Sequence, residues 1–399
     1  MESTHDPDQL VSDLREVIAQ GRKRIGLLVG AGAPISIKVE GEGGQKHSLI
    51  PGVDELTEHT VQNLEAKYQK AIEDIRMSLG RKVNIEDILS RLRLLERAIG
   101  DASFKEYDGA GYGEIAKAVC DQIGRIVGVD LPSGDNPYRD LVNWIDGTAR
   151  PFGVEIFTTN YDLLFEDALE RASSPYFDGF SGGARSFFDP VTVVNDDLPS
   201  RWTRLWKLHG SLGWKLTEER ISRGYGKDAS QLVYPDHLKF DQTQRQPYAA
   251  LFDRLRQFLS EPDTILLCSG FSFRDPHITS VVRECLSANA NTSMFALQYC
   301  NLDQESAAVT IGAAHPNFSV YAADGAVVGG VKGMWKIDED AKQWSSIRQM
   351  YWRDHSLTLG DFTIFARFLA LTKATRLVNP QRLATPEPSS EIPDASNVI

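Results

Sequence analysis

Arg24-Ile-Gly-Leu-Leu-Val-Gly-Ala-Gly-Ala33 is an apolar run that breaks into two closely spaced glycines. Such a run is how a buried parallel strand hands over to a tight turn. Gly30 and Gly32 let the backbone bend sharply and approach a pyrophosphate, and the next helix aims its N-terminal N–H groups and positive dipole end at the same anion. The usual G-x-G-x-x-G spacing is incomplete, because its third glycine position holds Ile35, directly after Pro34. Taken alone, the run fits a ligand-free strand-to-loop turn at least as well. The segments downstream decide.

A chain of 399 residues can bury a large core, and 42% hydrophobic with 25% charged residues is an ordinary globular composition. The net charge of −12 argues against a broad phosphate-tracking surface and leaves a local basic groove, and so direct nucleic-acid binding, open. No apolar run reaches membrane-spanning length, and the polar, acidic start carries no secretory signal pattern, so a cytoplasmic protein is expected. The four cysteines, Cys120, Cys268, Cys285 and Cys300, include no C-x-x-C pair, so no zinc ribbon or redox dithiol is expected; buried, inert thiols are.

Upstream of the glycine turn, Leu10, Val11, Leu14, Val17 and Ile18 have helical spacing over residues 8–22. Downstream, residues 38–47 are glycine-rich and charged and read as a polar loop, with a lid over the turn or a loose surface loop as alternatives. Asp54 is a candidate N-cap for a long helical block reaching about residue 147. Its clearest member is residues 84–99: Ile85, Ile88, Leu89, Leu92, Leu95 and Ile99 form one stripe, Asn84 caps it, and Glu86 and Asp87 suit its first turn. Strand patterns resume at residues 154–158, 191–194, 205–208, 264–268, 294–299 and 318–321. Residues 173–190 and 218–246 read as irregular, 325–336 as glycine-rich, 361–371 as a final helix, and the segment from 379 as a disordered tail. The expectation is an α/β fold with a Rossmann-like, mostly parallel sheet over residues 1–335 and a helical insertion at about 54–147. A helical extension over 336–378 would follow.

Four apolar strands run straight into small or polar groups: at Val29–Gly32, Phe157–Asp162, Leu208–Ser211 and Cys268–Asp275. In an open parallel sheet, ligands sit beyond the carboxyl ends of the strands. That rule gathers Asn160, Asp162, His209 and Ser272 around the glycine turn. Each has a plainer reading: Asn160 and Asp162 as helix caps, His209 as a buried structural histidine, Ser272 as a turn serine and Asp275, ahead of Pro276, as an N-cap. Trp202, Trp206 and Trp214 flank His209 and read as core.

Gly30-Ala31-Gly32, Thr159-Asn-Tyr-Asp162, Lys207-Leu-His-Gly-Ser211 and Gly270-Phe-Ser-Phe-Arg-Asp275 resemble, in order, the motifs of the sirtuin-like NAD-binding family. The resemblance spans about residues 25–330. It implies that the turn holds the NAD+ pyrophosphate, that Asn160 sits near the nicotinamide ribose and the attacking water, and that Asp162 contacts the nicotinamide amide. It makes His209 the catalytic base, lays Ser272 against the ribose or phosphates and counts Thr159 and Gly270 among the cofactor-binding residues. The protein-deacylating members carry a zinc module with two C-x-x-C pairs, whereas residues 213–261 here hold no cysteine. The proline-aspartate-phenylalanine-arginine element after the turn is also missing. No zinc and no peptide cleft are therefore expected.

The chain looks most like bacterial antiphage-defence NAD hydrolases, in particular the subunit that assembles with a HerA-type ATPase. The resemblance implies NAD+ as substrate, a homo-oligomer and that ATPase as partner. The competing expectations are a non-catalytic NAD or ADP-ribose sensor regulating a partner, a metal-dependent nuclease and a protein deacetylase.

Overall fold

A computed structural model of the chain describes residues 3–80, 83–183, 185–217, 220–224, 246–338 and 345–374. Its centre is a ten-stranded sheet. The strands are β1 (Thr4–His5), β2 (Arg24–Val29), β3 (Glu155–Thr158), β4 (Tyr176–Phe177), β5 (Thr203–Lys207), β6 (Thr264–Ser269), β7 (Ser293–Leu297), β8 (Phe318–Tyr321), β9 (Gly325–Val328) and β10 (Val331–Trp335). Their spatial order is β1-β10-β9-β8-β7-β6-β2-β3-β5-β4. All neighbours from β8 to β4 pair in parallel, and β9 and β10 append an antiparallel hairpin at one edge. The fold is α/β with a mostly parallel sheet, as the alternation of apolar strands and helices predicts.

β2 is buried from Ile25 to Val29, which is why it reads as a continuous apolar run and not as an alternating one. The register then fixes the site. Ser269, Val29, Thr158 and Lys207 lie in one row across β6, β2, β3 and β5. The four strands thus end level, and the four motifs begin at the same height. β2 leads to β3 on one side and pairs with β6 on the other, so this is the point where the winding of the sheet reverses.

Helix α1 (Pro7–Ala19), capped by Asp6, precedes β2. Between β2 and β3 come the short α2 (Gly32–Ser36), then α3 (Val53–Gln62), α4 (Ala66–Leu79), α5 (Ile85–Ile99), α6 (Gly109–Val127) and α7 (Pro137–Asp146). α5 begins as its sequence predicts. The Asn84 side chain accepts from Asp87 N at 2.9 Å, the Asp87 carboxylate accepts from Asn84 N at 3.1 Å, and Ile85, Ile88, Leu89 and Leu92 are buried. The cap of α3 is Gly52, with Asp54 inside its first turn. Residues 38–47 are not a loose loop: Lys38–Glu40 pairs antiparallel with Lys46–Ser48. The insertion also holds one small ribbon, Ser103–Phe104 with Tyr107–Asp108.

Helices α8 (Leu164–Arg171), α9 (Pro190–Asn195), α10 (Tyr248–Ser260), α11 (Pro276–Ala288) and α12 (Ser306–Ala314) complete the body. α9 corrects the strand expected at residues 191–194. Asp189 accepts from Thr192 N at 3.2 Å with Pro190 at the first helical position, and this start signal overrides the β-branched run Val-Thr-Val-Val. The stretch 173–190, expected to be irregular, holds β4 and a ribbon of Phe180–Ser181 with Phe187–Phe188. Arg220–Arg223 pairs with Trp214–Thr217, and residues 218–219 and 225–245 lie outside the described residues. Residues 325–336 form the β9–β10 hairpin.

After the short α13 (Ser345–Arg348), the closing helix α14 (Phe362–Ala374) packs along α7. Phe362 and Tyr138 rings lie 5.3 Å apart, and Thr363 Oγ1 meets Ser36 Oγ at 2.9 Å beside the glycine turn. The tail expected from residue 379 lies outside the described residues. No described helix is long and apolar enough to cross a membrane.

Candidate functional site

The loops beyond the level strand ends are tied to one another by backbone and short polar side chains. Thr158 Oγ1 donates to Val29 O at 2.8 Å and accepts from Asn160 N at 3.1 Å. Asn160 Nδ2 donates to Gly30 O at 3.1 Å, which seats the amide on the glycine turn. Leu208 N donates to Thr158 O at 2.8 Å and Leu212 N to Tyr161 O at 3.0 Å, so the His209 loop is laced to the Asn160 loop on both sides.

The glycines have a second reason beyond the one the sequence suggests. Gly30 N donates to Ser269 O at 3.1 Å and Gly32 N to Gly270 O at 3.0 Å. A Cβ on Gly30 would lie 2.4 Å from Gly270 O, and one on Gly32 would lie 2.5 Å from Gly270 Cα. The turn is therefore clamped backbone to backbone against the loop after β6, and Ala31 is its residue on the cavity wall. Gly270 itself has φ +67°, and its Cβ would sit 2.7 Å from Ala33 N. Gly270→Ala should cost roughly 1–3 kcal/mol from the left-handed backbone and the clash together. An unchanged thermal midpoint would show that the clamp does not matter.

The cavity above these loops has a volume of about 390 Å³. That falls within the roughly 300–1,000 Å³ of small-molecule sites. Ala31, Thr159, Asn160, Asp162, His209, Gly270 and Ser272 all line it, so the motifs quoted from the sequence converge on one space, with Gly30 and Gly32 behind Ala31. A cavity of about 440 Å³ lies within the helical insertion, lined by residues of α4, α5, α6 and the Ser103–Asp108 ribbon.

Asp162 is buried, and its carboxylate accepts from Leu164 N at 3.1 Å at the start of α8. Burial pushes its carboxyl above the ordinary carboxylate range, against the opposing pull of the Lys207 cation. Lys207, itself buried, donates to the Asp162 carbonyl and lies 3.3 Å from Glu166 Oε1. Burial raises Glu166 in the same way. Lys207 thus sets one cation against the carboxylates of Asp162 and Glu166 and holds the chain at Asp162 through its carbonyl.

His209 Nε2 lies 2.8 Å from Asp275 Oδ2, with 6% and 7% of the two side chains exposed. Asp275 also caps α11: its Oδ1 accepts from His277 N at 2.8 Å and from Ile278 N at 3.2 Å. The sequence identified the cap and missed the histidine, because adjacency to Pro276 is a local signal whereas a contact between two loops is not. Arg274 lines the cavity as the one arginine or lysine among its described lining residues. The helical insertion supplies a wall with Leu56, Asn84, Glu86 and Val127, and Tyr161 Oη donates to Glu86 Oε1 at 3.1 Å. Nothing in the spacing of α5 foretold that its capped N-terminus would face the strand ends.

Trp206 and Trp214 are buried, as core readings require. Cys120, Cys268 and Cys285 are buried as expected, and burial raises the Cys268 thiol far above its ordinary range, whereas Cys300 is only half-buried. Asp196 pairs with Arg204 at 2.7 Å and Arg254 at 3.3 Å. Among the described residues, no group of three or more His, Cys, Asp or Glu side chains is arranged to hold a metal ion.

No curated protein matches the chain. Residues 154–315, which carry Asn160, Asp162, His209 and the Gly270–Asp275 loop and leave the glycine turn and the helical wall outside, match the family model of the SIR2-like domain.

Proposed function

We propose that the chain hydrolyses NAD+ to ADP-ribose and nicotinamide. The observation that carries this reading is the shared cavity: His209 and Asn160, from adjacent parallel strands, face one space with Ala31 of the glycine turn where the sheet reverses its winding. The SIR2-like match fits NAD-dependent chemistry in general, and the hydrolase reading adds the acceptor. The turn Gly30-Ala31-Gly32 takes the pyrophosphate end, with Arg274 as the cation that offsets its charge. Thr159, Gly270 and Ser272 take the ribose and phosphate edges, and Asp162 takes the nicotinamide amide at the buried end.

Asn160 orients a water without adding charge, and His209 accepts its proton. The water oxygen forms the new bond to the ribose C1′ through an oxocarbenium-like centre. The N-glycosidic bond breaks with its electron pair passing to the pyridine nitrogen, so nicotinamide leaves neutral and needs no strong acid. His209 then returns the proton to solvent. Products and proton balance NAD+ plus water.

The resemblance in the motifs extends this reading to an antiphage effector that depletes cellular NAD+ as a homo-oligomer assembled with a HerA-type ATPase. The test is to incubate purified protein with NAD+ and follow free nicotinamide, with and without that ATPase. Release in either arm is expected. Binding of NAD+ without release in both would replace the hydrolase by the sensor.

A further inference from the structure

We propose that Asp275 is a positioning residue that fixes the proton of His209 on Nε2, leaving Nδ1 as the nitrogen that accepts the proton from water. The inference rests on the reading of His209 as the base. Its ground is the division of labour within one carboxylate. Oδ1 accepts from His277 N and Ile278 N at the start of α11, and Oδ2 lies 2.8 Å from His209 Nε2. Oδ1 is taken by the helix, and Oδ2 is the oxygen that faces the ring. A neutral imidazole has one N–H and one bare nitrogen, so a carboxylate oxygen at Nε2 selects the tautomer with hydrogen there.

Asp275 is held for this task from behind. Pro276 sets the first helical residue, the two backbone N–H groups fix Oδ1, and the positive end of a thirteen-residue helix favours the ionised carboxylate. Oδ2 then has little freedom to leave the ring. As His209 takes up a proton, the same anion faces the imidazolium that forms, a role that a neutral cap does not fill. His209 comes from the end of β5 and Asp275 from the loop after β6, on opposite sides of β2 and β3. The contact therefore closes the site across the row of strand ends.

Asp275→Asn isolates the role. Asparagine caps as well as aspartate, so α11 keeps its start. The cap, however, requires the amide oxygen at the helix, which turns the NH₂ group toward Nε2. The ring must then accept there and carry its hydrogen on Nδ1, the nitrogen the reaction needs bare. Nitrogen-15 NMR of histidine-labelled protein, with the His209 signals identified by their loss in His209→Ala, should show the Nε2-protonated form in the parent and the Nδ1-protonated form in Asp275→Asn. The kcat for NAD+ should fall roughly 10²–10⁴-fold, with KM and thermal midpoint little changed.

An unchanged tautomer in Asp275→Asn, or a changed tautomer with kcat within a few-fold of the parent, overturns the proposal. The NMR arm needs no turnover. If the parent releases no nicotinamide under any condition, the hydrolase reading falls by itself, while the spectrum still decides whether Asp275 sets the state of the ring.

Discussion

His209→Ala is expected to lower nicotinamide release by about 10²–10⁴-fold, the usual worth of a placed general base. The fold should survive. His209 is held by loop contacts and by Asp275, and the strands beneath it are paired through their backbones. Asp275 keeps its cap to α11 when the ring is gone. The thermal midpoint should therefore stay within a degree or two while turnover collapses, and NAD+ binding measured by calorimetry should persist, because the turn proposed to take the pyrophosphate, Gly30–Gly32, lies apart from His209. A variant that keeps most of its turnover would remove His209 from the chemistry. A variant that loses activity and stability together would make it a structural residue instead.

The largest effect on stability is expected at the opposite end of the same strands. Glu155 opens β3 and is 2% exposed; it accepts from Trp206 Nε1 at 2.7 Å and from Arg254 Nε at 2.8 Å, with Arg254 Nη2 on its other oxygen. Arg254, also 2% exposed, would keep Asp196 at 3.3 Å as its ion-pair partner among the described residues if that carboxylate were removed. Breaking a buried pair by deleting one partner typically costs about 3–5 kcal/mol, since a charge is left without its counterion in a medium that cannot solvate it. Glu155→Ala should therefore melt well below the parent. Replacing both members, as in Glu155→Gln with Arg254→Met, should recover much of the loss. If the single variant melts like the parent, water reaches this pair. If the double variant is no better than the single, the loss comes from packing around Trp206 and not from the stranded charge.

The sheet was legible because its strands are buried on both faces and so read as short unbroken apolar runs. Those at Arg24 and Thr264 also run straight into a glycine, Gly30 and Gly270. The site was legible for the same reason, since a parallel register places every strand's end at one level and turns a linear list of motifs into one rim. Where strength of pattern misled, a local start signal was stronger: Asp189-Pro190 makes a helix of Val-Thr-Val-Val. Two-residue strands such as Tyr176–Phe177 leave no periodicity to find. Contacts made between elements were invisible for a deeper reason. That Asp275 meets His209, that Glu86 meets Tyr161, and that the closing helix lies on Tyr138 depends on how separate loops are brought together, and neither spacing nor composition encodes it.

The pairing of Arg24–Val29 with Thr264–Ser269 has a consequence for how this protein is made. The central strand of the sheet pairs with one neighbour 129 positions later and with the other 240 positions later. Because closing so long a loop must precede the contacts that reward it, this junction belongs among the slow steps of folding. A ribosome-bound chain can shape its helical insertion long before the floor of the cavity exists. Until the residues around Gly270 emerge, the glycine turn lacks the backbone it is clamped against and His209 lacks Asp275. An incomplete chain therefore lacks a finished cavity, whatever ligand the site takes.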